Sequence, residues 1–79
     1  MLNVKEYDET FRYTLLSRMQ TDCEYYLNSG NRQAKHLWSG NEVQHIADIK
    51  ALYNSFPEEK KPEWITMDDI LRYKKEMIG

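Results

Sequence analysis

Apolar side chains in this chain recur at steps of three and four, and nowhere do they alternate at a step of two for more than a few residues. That spacing excludes sheets and leaves helices, because 3.6 residues per turn brings such positions onto one face. Leu15, Leu16, Met19, Cys23, Tyr26 and Leu27 form one such face, and Phe11 extends it a turn earlier. Val43, Ile46, Ile49, Tyr53 and Phe56 form a second. Met67, Ile70, Leu71, Lys74, Met77 and Ile78 form a third, with Lys74 its one polar break. The pattern predicts helices over about 7–28, 41–56 and 66–78, in a single helical domain spanning residues 1–79. The expected fold class is all-α: a small three-helix bundle with an ordered aromatic loop between the first two helices.

Punctuation supports these spans. Asn28, Ser29 and Gly30 make a C-terminal stop, and Gly30 is expected at positive φ, where glycine meets no Cβ clash. Ser39 or Asn41 can cap the second helix by accepting from its orphan N–H groups. Pro57 ends that helix by pushing its predecessor out of the helical region. Thr66 has the character of an N-cap, and Asp69 at the third helical position suits the positive end of the dipole. Trp64 stands just before that cap, where a hydrophobic residue can staple the first turn. The charged stretch EEKK between Pro57 and Pro62 reads as a solvated connection.

Seventy-nine residues support one core. The chain is 41% hydrophobic and 13% aromatic, enough to fold. A formal charge of −2 speaks against a protein held on nucleic acid by bulk electrostatics. It speaks equally against a polyanionic mimic of DNA. The single cysteine cannot close an internal disulfide, so a reducing, cytoplasmic setting is expected. No apolar run has the length of a membrane span, and the stretch MLNVKEYDET is already charged, so no membrane association is expected.

The segment Asp22–Gly40, DCEYYLNSGNRQAKHLWSG, concentrates Tyr25, Tyr26, Trp38, His36 and two of the three glycines. From Tyr25 to Asn41 it contains no Asp or Glu, while Arg32 and Lys35 are present. It is either an ordered structural joint or a recognition surface. Trp38 is expected to pack back onto the helices, because a long aromatic loop in so small a domain is stable only if its rings supply core area. As a surface, the segment would offer Tyr25, Asn31, Arg32, Lys35, His36 and Trp38 as partner-binding residues, since anchors favour Trp, Tyr and Arg.

Other constellations carry less chemistry. Cys23, His36 and His45 lack the short spacings of zinc sites. His45 and Asp48, at i and i+3, read as a polar helix face. Cys23 lies on an apolar face, where it acts as a small hydrophobe. Glu58, Glu59, Glu63, Asp68 and Asp69 cluster in a connection and a helix start, without the facing cleft that paired-carboxylate catalysis needs. No metal and no cofactor are expected, and no catalytic residues.

The strings FRYTLLSRMQTDCEYYL, GNRQAKHLWSGN and LYNSFPEEKKPEWIT resemble the large polyvalent protein-associated domain family, the eleventh of its numbered series. Arg18, Asp22, Cys23, Glu24, Tyr25, Tyr26, Gly30, Asn31, Arg32, Lys35, His36, Leu37 and Trp38 carry the likeness. So do Asn54, Ser55, Phe56, Pro57, Pro62 and Trp64, and the resemblance covers roughly residues 10–72. The resemblance implies a context: bacteriophages and conjugative elements, and conflict with host defences on entry. It brings no catalytic residue. The expectation is a non-enzymatic phage or mobile-element protein that binds a protein partner, a bacterial defence nuclease or its complex, as an anti-CRISPR-like inhibitor does. The alternatives are a nucleic-acid-binding accessory protein and a structural interaction module.

Overall fold

In a computed structural model, residues 6–28 and 32–78 are described. Three helices form a bundle, α1 (Glu9–Asn28), α2 (Glu42–Asn54) and α3 (Met67–Met77), with short 3₁₀ turns at Ala34–His36 and Glu58–Lys60 in the connections. The described residues contain no strand. No helix among them is long and apolar enough to cross a membrane.

Each helix starts on a side-chain cap. Asp8 Oδ1 accepts from the Phe11 N–H at 2.7 Å, and Asn41 Oδ1 accepts from the Gln44 N–H at 2.7 Å. Thr66 and Asp69 form a reciprocal capping box, each side chain accepting from the other's backbone N–H. Of the two expected caps for α2, Asn41 takes the role and Ser39 does not. The staple before α3 also shifts by one residue. Ile65 and Ile70, which flank the capping box, are fully buried, while Trp64 is exposed. The residue next to the cap is the one aimed at the core. Gly30 lies outside the described residues; the positive-φ positions among them are Arg32 (φ 56°) and Gly40 (φ 80°).

The core gathers Leu15, Leu16, Met19, Cys23 and Tyr26 from α1, Ile46, Ile49 and Leu52 from α2, and Ile70, Tyr73 and Met77 from α3. Leu37, Phe56 and Ile65 join it from the connections. Four expected core members sit at the surface instead: Phe11, Val43 (66% exposed), Leu71 (45%) and Ile78. In α3 the buried face runs Ile70, Tyr73, Met77, so Leu71 and Ile78, one residue further round, fall at its edge. Tyr73 replaces them. Its ring is buried and its hydroxyl donates to Glu24 Oε1 at 3.0 Å, so the one polar atom of a large apolar body is satisfied.

Helix α1 also fastens both connections. Near its start, the Tyr13 ring stacks on Phe56 at 4.2 Å, and its hydroxyl donates to the Lys60 carbonyl. Arg12 Nη1 donates to Ser55 Oγ at 2.9 Å, with its guanidinium 5.0 Å above the Phe56 ring. Near its end, α1 holds the aromatic loop.

Candidate functional site

The loop doubles back along the C-terminal half of α1. The Arg32 N–H donates to the Tyr26 carbonyl at 3.2 Å. The His36 ring meets Tyr25 edge-on, with centroids 5.1 Å apart. The Trp38 N–H donates to Asp22 Oδ2 at 2.9 Å. Asp22 Oδ1 in turn accepts from Arg18 Nε at 3.3 Å. Arg18 and Trp38 therefore share one carboxylate, and Tyr25 stands a turn further along the same helix.

Asp48 of α2 holds the far end of the loop. Its Oδ2 accepts from Ser39 Oγ at 2.7 Å and its Oδ1 from Gln44 Nε2 at 2.8 Å. Asp22 and Asp48 are both buried, and such charge-assisted bonds are worth more than neutral ones. Gly40 follows at φ 80° with open space around its Cβ position. Backbone conformation, not crowding, therefore requires glycine there. Tyr26 closes the joint by donating to Glu42 Oε2 at 2.7 Å. That bond raises the phenol's pKa and lowers the carboxyl's.

His45 lies beneath this frame, fully buried. The expected polar face of His45 and Asp48 is therefore wrong: both are interior, because the loop and α1 cover that side of α2. His45 Nε2 lies 3.0 Å from the Met19 carbonyl, and a carbonyl only accepts, so Nε2 carries the proton. Nδ1 has no hydrogen-bond partner. Burial pushes the His45 pKa below its usual 6.5, against the opposing pull of the Met19 carbonyl, Asp22 and Asp48. The ring is held neutral. Among the described residues no three His, Cys, Asp or Glu side chains converge to hold a metal ion. Burial, aided by Asp22 and Glu24, raises the Cys23 thiol to about 12, the opposite of an activated nucleophile.

The outward faces of the loop and of the end of α1 carry the aromatics. Trp38 is 42% exposed and Tyr25 47%, so the expectation that Trp38 packs back onto the helices is overturned. Leu37 takes the inward place, and its neighbour in the extended loop points the other way. Lys35 is exposed and His36 half-buried. Arg32 is exposed and held in the left-handed region, its Nη1 donating to the Glu76 carbonyl of α3 at 2.7 Å. Of the six candidate residues, Tyr25 and His36 touch and Trp38 is tied a turn away at Asp22, Arg32 turns towards α3, Lys35 stands free in solvent, and Asn31 lies outside the described residues. Periodicity missed the residues that anchor the loop, Asp22, Ser39 and Asp48.

A groove of about 200 Å³ adjoins Arg32, lined by Glu24, Leu27, Asn28, Arg32, Arg72 and Glu76. Its charges balance, two of each sign, and Arg72 Nη2 sits 3.6 Å from Glu24 Oε1.

No curated protein and no solved structure matches the chain significantly. A family model does, over residues 9–77, from the capped start of α1 to the last turn of α3, and so takes in the aromatic loop and its anchors. The chain belongs to the family described as large polyvalent protein-associated domain 11.

Proposed function

We propose that this chain is a non-enzymatic protein of a phage or mobile element that binds a protein partner through Tyr25, Lys35, His36 and Trp38, with Arg32 at the rim. One observation carries the reading: two large aromatic rings stand half-exposed, Tyr25 at the end of α1 and Trp38 on a loop tied to two buried carboxylates, through the Trp38 N–H to Asp22 and the Ser39 hydroxyl to Asp48. An anchor already held in place loses little conformational freedom on binding, so more of its burial appears as affinity. A purely structural joint would have little reason to leave Trp38 in solvent. The partner's identity as a bacterial defence component, met in the host cytoplasm, rests on the setting that the family resemblance implies.

The test is affinity capture from host lysate with the wild type, a Tyr25→Ala, Trp38→Ala double variant and Trp64→Ala. Trp64 is about as exposed as Trp38 but lies before α3. Capture of a defence component that the double variant loses and Trp64→Ala keeps is the expected result. Equal capture by all three sinks the reading.

Nucleic-acid binding is the second reading, favoured by cations and aromatics on one acid-free segment. Titration of labelled single- and double-stranded oligonucleotides at two salt concentrations decides it. Micromolar or tighter binding that an Arg32→Glu, Lys35→Glu double variant abolishes would put this reading first.

A further inference from the structure

We infer that the surface around Tyr25 and Trp38 takes an acidic protein segment, one that sets an apolar or aromatic side chain among Asp or Glu residues; the inference rests on the protein-binding reading above. From Tyr25 to Asn41 the segment carries cations and no acid on a molecule whose formal charge is −2, and the two carboxylates that tie it down, Asp22 and Asp48, are buried. The acids of the frame each accept a hydrogen bond from within the protein. Asp22 accepts from Arg18 and the Trp38 N–H, and Asp48 from Ser39 and Gln44. Glu24 accepts from Tyr73, and Glu42 from Tyr26.

The cations are engaged less fully. Arg18 is paired yet its side chain is 62% exposed, leaving donors free for a partner. Arg32 donates to the Glu76 backbone carbonyl and shares its groove with Glu24 and Glu76. Lys35 is exposed, and among the described residues neither it nor Arg32 comes within ion-pair distance of a carboxylate. Half-exposed rings, with Arg18 sharing a carboxylate with the Trp38 N–H and Lys35 next to the His36 that meets Tyr25, match an apolar anchor flanked by carboxylates.

Magnitudes favour protein over nucleic acid. Arg32 and Lys35 could neutralise two phosphates, giving a log–log salt slope of only about −1.4 on a single strand. Binders that depend on phosphate contact use several times that number. A protein interface needs only a few central anchors, with charges at the rim to steer and orient.

The experiment is a random-peptide display selection on the immobilised wild-type protein. Enriched peptides are then measured by fluorescence anisotropy against the wild type, Lys35→Glu and Trp38→Ala, with circular dichroism melts confirming that each variant is folded. A labelled oligo-dT strand is measured alongside. The expected peptides carry net negative charge and at least one large apolar residue. Trp38→Ala should abolish their binding, and Lys35→Glu should weaken it about fivefold, the upper range for an exposed charge pair. Peptides without acidic bias that still need Trp38 would overturn the acidic segment and leave the docking reading intact. Peptides indifferent to Trp38, or oligo-dT binding tighter than any peptide, would overturn both.

Discussion

His45 shows how much one side chain can depend on its surroundings. Its imidazole is neutral in the fold because Met19, Asp22 and Asp48 do not compensate for the loss of water. The folded pKa lies below the unfolded value of 6.5, so the unfolded chain takes up the proton first. Stability attributable to His45 is therefore present above about pH 6.5 and declines as pH falls below it. Melting curves between pH 7.5 and 5 should show this decline, and His45→Gln, whose amide can still donate towards the Met19 carbonyl, should remove part of it. An unchanged pH dependence in the variant would refute the assignment. Asp22→Ala should cost about 1–3 kcal/mol, since it strips an acceptor from the Trp38 N–H and from Arg18; chemical denaturation measures it. Cys23, fully buried with its thiol at about 12, should resist thiol reagents in the native protein and react only on unfolding.

Among the elements, α2 carries the least ambiguous packing. Ile49 is fully buried at its centre, and Ile49→Ala should cost about 2–5 kcal/mol, read from the denaturation midpoint at constant slope. Thr66→Ala removes half of the capping box on α3 and should cost about 1 kcal/mol. Leu71→Gln, at a position 45% exposed, should change stability by less than about 0.5 kcal/mol. The helices were legible because their faces repeat, and the caps because Asn41 and Thr66 have a chemistry suited to one place. What repetition cannot show is which way a loop turns, so Leu37 rather than Trp38 as the inward residue was invisible. Nor can it show that an acid is buried when its partner lies elsewhere in the chain, as Ser39 does for Asp48 and Trp38 for Asp22. Tyr73 escaped because the expected third face runs through Leu71, Lys74 and Ile78, to one side of the buried row Ile70, Tyr73 and Met77.

At the scale of the whole molecule, α1 is the spine on which both connections are fastened, so loop and core should come apart together. Far-UV circular dichroism and tryptophan fluorescence are expected to report one coincident transition; fluorescence changing at lower denaturant would mean that the loop detaches on its own. The same fastening decides whether the aromatic surface can be moved to another scaffold. A linear peptide ending at Gly40 would contain every ring and cation of the site, yet Glu42, Gln44 and Asp48 lie beyond its end. Tyr26 would lose its acceptor and Ser39 its carboxylate, leaving the bond to Asp22 as the one tie on Trp38 described above. A transplant that keeps the shape must bring the first two turns of α2 with it.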